Sequence, residues 1–482
     1  MSIQRGKEFF AFKKNAMNKE KPKKQKTKKV LEMVVVNPYS AGIDISDKEH
    51  VVAVAEGLSD KRVRAFGSMT SDLEELASWL EACEIETVAM ESTGVYWQSL
   101  FQLLVSRGFE VYLVNAANIK NVTGRKDDEN DAMWIQKLHS CGLLRSSYLP
   151  EEQQDALRTL TRYRRTLTED CSRFVNRMQK ALELMNIKFH TVINDIMGKS
   201  GTAVIEAIIE GERDARNFLP FIDPRIKAIP ETIVKSLEGN WRSDHLFTLK
   251  ESYTMYKIYR ERITACDMEI EKHLQRWEAS CNEGEISAKN DKAKEEKEVK
   301  QTKKRKPKNY PPFDGRAYLK KIHRVDVLAI FGLSEIGGLE LLAETGTDLS
   351  KWKNEKHFVS WLNLCPNNKI SGGKLISSKL FNKHPNPASQ AFRHAANTIQ
   401  RSDNWLGEFF RKKKKKGGNK YAIVATANKI ASIYYKLVRF KQEFTPVDIT
   451  DYQAKLKQAT INQLERKLSR LKAGQLSEDK VV

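Results

Sequence analysis

Between residues 39 and 150 the hydrophobic positions change period several times. Ala41–Gly57 (AGIDISDKEHVVAVAEG) reads as two strands with β-branched residues on both sides of a turn at Ser46-Asp47-Lys48. Lys61–Met69 suits a third strand, and Ser71–Cys83, opening on a Ser cap, sets Leu73, Leu76, Trp79 and Leu80 at helical spacing. Thr87–Met90 reads as a short buried strand ending at Glu91; a helix to about Arg107 and the strand Glu110–Val114 follow. Glu129–His139 is again helical, with Met133, Ile135 and Leu138 available for packing. Beyond 150 two long stripes step by three and four. Leu157, Leu160, Leu167, Cys171, Phe174 and Met178 form the first, with Arg164 in its seam; Tyr256, Tyr259, Ile263, Cys266, Ile270 and Trp277 form the second. Such helices pack on each other or pair with a second subunit. Arg158, Arg162, Arg165, Arg173 and Arg177 lie off the seam, as a solvated or intersubunit face or a nucleic-acid surface.

Composition narrows the class. The 482 residues are 40% hydrophobic, enough for real cores, and no apolar run approaches the ~18 residues of a membrane span. Cysteines stand at 83, 141, 171, 266, 281 and 365 without a CxxC pair, which fits reduced thiols in a cytoplasmic protein, with neither a disulfide framework nor a zinc module. The first thirty residues lack the apolar stretch of a secretory signal. Lys and Arg number 83 against 62 Asp and Glu, a net charge of +21, so nucleic acid is the first partner to test. Residues 1–30 carry +9 of it, as a solvated tail or a phosphate-binding arm. Glu283–Asn309, with ten Lys/Arg, six acids and almost no apolar anchor, reads as a linker or insertion. Arg411–Lys416 with Gly417-Gly418 looks like an exposed basic loop.

A three-strand meander followed by helix–strand–helix–strand–helix is the element order of the ribonuclease-H-like fold, one of several α/β options that strand alternation allows. The carboxylates narrow these options. Asp44 sits mid-strand between Ile43 and Ile45, which point to the opposite face, and Glu91 ends a strand at the carboxyl edge where open α/β sheets hold ligands. Asp128 and Asp131, three apart at a helix start, project from one side of its first turn. Four hard oxygen donors on converging elements suit Mg²⁺ or Mn²⁺ and phosphodiester cleavage. Taken singly, Asp128 and Asp131 would favour a helix N-terminus and Asp44 would cap a turn.

The stretches GIDISDKEHVVAV, MESTGVYW and GRKDDENDAMWIQKLHSCGLLRSSY resemble the N-terminal half of a DEDD transposase of the insertion-sequence-one-ten family. Its helix motif has Lys-Thr-Asp, two variable residues and Asp-Ala; here Asp127 stands in the Thr position and Glu129 adds an acid, so either could compete for metal, while the pair ending in Asp-Ala keeps Asp128 and Asp131 as the ligands. Farther on, Phe358–Lys374 (FVSWLNLCPNNKISGGK) resembles the family's second signature, whereas Leu328–Glu344 resembles a helix–hairpin–helix turn or an ordinary helical hairpin. Alone, Ser371 before Gly372-Gly373 would be a turn serine. The resemblance implies that Asp44, Glu91, Asp128 and Asp131 form a metal-holding tetrad in a RuvC-like domain. It implies further that Ser371 is the nucleophile joining covalently to a DNA end. Lys369, Lys374 and Arg393 are available to neutralise the phosphate.

The expected architecture is α/β plus all-α: a basic tail (1–38), a RuvC-like DEDD domain (39–150), a helical coiled-coil region (151–282) and a charged linker or insertion (283–314). A mostly helical serine transposase domain (315–442) and a basic helical tail (443–482) follow. The expected function is excision and insertion of an insertion sequence. Implied partners are donor and target DNA, a guide (bridge) RNA and further copies of the chain, as a dimer or tetramer, in a nucleoid-associated protein without membrane contact. The alternatives are a structure-specific metal nuclease with no covalent intermediate, and a nucleic-acid scaffold whose acids are structural.

Overall fold

The computed structural model describes residues 34–115, 128–283, 307–380 and 386–478. The basic run of 1–30, Asp127, the side chains of Asp128 and Glu129, and most of the charged stretch 283–309 lie outside the described residues. The chain divides into two compact units, meeting in sequence between Leu149 and Pro150.

The first unit is built on five strands: β1 (Ser40–Ile45), β2 (Glu49–Val54), β3 (Val63–Gly67), β4 (Thr87–Glu91) and β5 (Glu110–Val114), in spatial order β3-β2-β1-β4-β5. The meander pairs antiparallel, and β1–β4 and β4–β5 pair parallel. This mixed sheet with its helices is the arrangement of a ribonuclease-H-like domain. The Ser46 hydroxyl fixes the first turn, donating to the Glu49 carbonyl at 2.6 Å and accepting from the Glu49 N–H at 3.2 Å. Helices α1 (Thr70–Ala82) and α2 (Trp97–Ser106) cover one face, where Leu76, Leu80, Leu100 and Leu104 pack on Ile43, Ile45, Val88 and Met90. The cap of α1 is Met69, not the expected Ser71: the Met69 N–H donates to the Asp72 carboxylate at 3.2 Å. An acid three residues into a helix serves the orphan N–H groups as well as a Ser at its head.

Helix α3 (Asp128–Ser140) covers the opposite face, with Ile135 and Leu138 against Ala89 and Val114. It lies on bare backbone. A Cβ at Gly42 of β1 would stand 2.2 Å from the Gln136 nitrogen and 2.6 Å from the Ala132 oxygen. Gly42→Ala is therefore expected to push α3 off the sheet and cost about 3 kcal/mol. Urea unfolding of the variant checks this; an unshifted midpoint would mean that the helix rises freely.

The second unit holds the long helices. α4 (Glu152–Leu184) and α7 (Ser243–Glu283) run antiparallel, joined through α5 (Lys199–Glu210) and α6 (Pro230–Leu237). The two apolar stripes cover each other: Leu157, Leu167, Cys171 and Met178 are buried, as are Tyr256, Ile263, Cys266, Ile270 and Trp277. Arg164 in the seam forms a buried pair with Asp267 at 2.5 and 3.2 Å and donates to the Asn309 carbonyl at 2.8 Å.

Helices α8 (Gly315–His323), α9 (Glu335–Thr345) and α10 (Glu355–Trp361) precede a two-stranded ribbon, β6 (Pro366–Ser371) and β7 (Lys374–Leu380). α11 (Pro387–Thr398), α12 (Trp405–Phe440) and α13 (Ile449–Glu478) complete the unit around Phe358, Phe392, Tyr434 and Tyr435. Three of the off-seam arginines are not a solvated face. Arg158 and Arg162 both reach the buried Glu344 of α9, at 3.2 and 2.7 Å, and Arg165 reaches Glu340. Nor is Arg411–Lys416 a loop: α12 runs through it and breaks at Gly418 (φ 78°), since lysines cost a helix little. Among the described residues no helix is long and apolar enough to cross a membrane.

Candidate functional site

β1 and β4 pair in parallel with Ile43 opposite Met90, so the next residues along, Asp44 within β1 and Glu91 at the end of β4, stand on neighbouring strands. Alternation assigns their face. Ile43, Ile45 and Met90 belong to the core under α1 and α2, whereas Ala89, two residues before Glu91, packs under α3. Both acids therefore stand on the α3 side, half-buried, and the Thr93 hydroxyl donates to the Glu91 carboxylate at 3.5 Å.

The run of α3 over β1 places its N-terminus. At the far end, His139 meets Thr87 (Nε2···Oγ1 2.8 Å) and the Gln136 amide lies 3.4 Å from the Ser40 hydroxyl. Ala132 and Gln136 lie over Gly42, so the first turn, with the half-buried Asp131, points toward the Asp44 end of the strand. Asp128 begins that turn. The positive end of a helix dipole favours a carboxylate such as Asp131 at that turn. Burial pushes His139 down to about 4, so near neutrality it is an uncharged ring pinning the helix to Thr87. Among the described residues no three Asp, Glu, His or Cys side chains come close enough together to hold a metal ion, and the Asp128 side chain is not among them. Oxygen donors on two neighbouring strands and a helix start are the right chemistry for Mg²⁺ or Mn²⁺, which keep several waters and need few protein ligands.

Ser371 lies in the second unit, exposed, as the last residue of β6. It pairs across the turn with Lys374. Gly372 (φ 55°) and Gly373 (φ 75°) form that turn, and positive φ at both positions is what a two-residue hairpin requires. Ser371 is thus held at a tight turn, the position read for it from the two glycines alone. Lys369 and Lys374 are exposed on the same ribbon. Arg393 is not. It lies on α11, half-buried, with its guanidinium donating to the Asn363 carbonyl at 3.4 Å and to Ser389 at 3.3 Å. The sequence reading missed the ribbon itself, although Gly-Gly between Ile- and Leu-bearing segments is a hairpin signal. It also missed Ile370, Leu375 and Ile376, which stand exposed beside Ser371.

Two sequence models match the chain. That of the DEDD transposases of the IS110 type covers residues 41–187, and that of the transposases of the IS116/IS110/IS902 family covers 326–411. The four candidate acids fall in the first segment, and Ser371 with the three candidate cations falls in the second. No curated protein matches the chain.

Proposed function

From the premise that the chain belongs to the IS116/IS110/IS902 family of transposases, whose activity is DNA cleavage and transfer, we propose that it excises and inserts its own element. The proposed route is a covalent phosphoserine at Ser371, under the guidance of a noncoding bridge RNA. What supports the catalytic assignment is that Asp44 and Glu91 stand on neighbouring parallel strands, on the face that α3 covers. In this reading Asp44, Glu91, Asp128 and Asp131 hold a divalent metal, which when bound supplies Lewis-acid stabilisation of charge on the phosphodiester. In the same reading Ser371 attacks the phosphodiester, and its proton passes to solvent or to a base. Lys369 and Lys374 offset phosphate charge from the ribbon. RNA guidance is supported by the family resemblance and by a charge of +21, suited to holding several nucleic-acid strands together. A dimer or tetramer belongs to the proposal because two element ends must be joined in concert. The α4–α7 seam does not supply its interface, being closed within the chain.

The test is recombination between a donor plasmid carrying the element and a target plasmid, with the transcript of its noncoding flank supplied or withheld. Joined products that need Mg²⁺ and the transcript are expected. Metal-dependent nicks without strand exchange would make the chain a plain nuclease. Exchange without any transcript would remove the guide.

A further inference from the structure

Among the described residues the β6–β7 ribbon pairs only with itself, and its strands are exposed nearly throughout. Ile370, Leu375 and Ile376 are 65, 59 and 69% exposed, on a hairpin that isolated would be marginal in water. Ile370 and Leu375 sit directly opposite each other, so they form one apolar pair on one face. Ser371 and Lys374, the next pair toward the turn, face the other way. The bulge between Lys369 and Ile370 adds local twist. Charge is one-sided. Lys369, Lys374 and Lys379 lie on the ribbon, and no Asp or Glu occurs anywhere between Glu355 and Asp403. A twisted two-stranded ribbon matches the major groove of B-form DNA, about 12 Å wide; the major groove of A-form RNA is too deep and narrow for side chains to read. An acid-free, lysine-bearing ribbon with a bare apolar pair fits that groove better than it fits a protein surface, where its cations would need acidic partners.

We propose that the Pro366–Leu380 ribbon enters the major groove of duplex DNA, with Ile370 and Leu375 against base edges and Lys369, Lys374 and Lys379 on phosphates. This rests on the reading of the chain as a DNA transposase and assigns it a means of gripping duplex. Residues that touch bases are then distinct from the serine that would do the chemistry.

The test is equilibrium binding of the full chain, in EDTA so that nothing is cut, to a labelled 30-base-pair mixed-sequence DNA duplex and to an RNA duplex of the same sequence (~0.05–0.3 M KCl). Replacing Lys369, Lys374 and Lys379 together by Ala should weaken DNA binding at least about tenfold and reduce the slope of log affinity against log salt by about 3. Ile370→Ser with Leu375→Ser should weaken it by about tenfold with the slope unchanged. Ile370→Thr with Leu375→Thr, which keeps β-branched or β-compatible side chains, replaces the Ser pair should circular dichroism show that pair unfolded. The RNA duplex should be insensitive to all of these. Wild-type DNA binding by folded variants overturns the proposal, and so do equal losses on the RNA duplex. Recombination by the wild-type chain alongside unaffected binding would remove the ribbon assignment alone. Ribbon-dependent binding without any recombination would remove the transposition reading and leave the groove contact.

Discussion

Ser371→Ala is expected to abolish covalent capture of DNA, with joined products falling on the order of 10⁴-fold. In the proposed step the Ser371 Oγ attacks phosphorus, the bond from phosphorus to the leaving sugar oxygen breaks, and that oxygen takes up a proton as the serine loses one. The phosphodiester is conserved as a phosphoserine ester, so a DNA hydroxyl can later reverse the exchange without an outside energy source. Serine is a weak nucleophile at its own pKa, so the adduct should also require Mg²⁺ and Asp44. A nicked suicide substrate traps the adduct, and mass spectrometry locates it. Ser377→Ala and Ser378→Ala should retain it, since the Ser378 hydroxyl is already engaged, donating to Asn368 across the ribbon at 2.8 Å. An adduct mapped to either would move the nucleophile. No adduct in any variant, with metal-dependent cleavage intact, would hand the chain to the nuclease class.

Asp44→Ala should lower strand cleavage at least about 10³-fold while DNA binding persists. The same substitution has a second readout. Asp44 and Glu91 stand on neighbouring strands, so the loss of one carboxylate should show in how the fold responds to metal. Added Mg²⁺ should raise the melting temperature of the wild type, because an ion bound only by the folded state stabilises it by mass action, and should leave the variant unmoved. Full cleavage by Asp44→Ala would end the tetrad assignment. Asp127→Ala should be much milder than Asp128→Ala; equal damage would shift the motif by one residue.

The first unit was legible because its elements are buried on known faces. Ile43 and Ile45 must sink, so Asp44 must face the other way, and the order of strands and helices follows from the changing period. What the period could not give was Gly42 as the seat of α3, since a glycine in a strand signals close approach without naming what approaches. The stripes at 157–178 and 256–277 were visible too, but an apolar stripe does not say whether its partner lies in the same chain. Arg158, Arg162 and Arg165 beside them were misjudged as a surface because their partners, Glu340 and Glu344, are some 180 residues away in sequence. The ribbon escaped for the opposite reason: both its faces are exposed, so no burial alternation marks it, and only the Gly372-Gly373 turn betrays it.

The buried Arg164–Asp267 pair has a consequence for alignment. Apolar stripes with a near-heptad spacing are tolerant of sliding: α4 and α7, of 33 and 41 residues, could exchange one set of contacts for another after a shift of about 10 Å, one heptad along. A guanidinium sealed in the seam admits no such substitute, because every other position opposite it would leave a buried charge without its counterion. Arg164 therefore works as an index mark. With the sliding prevented, Arg158 and Arg162 come level with Glu344, so α9 takes its place along α4 from a register that one sealed ion pair sets.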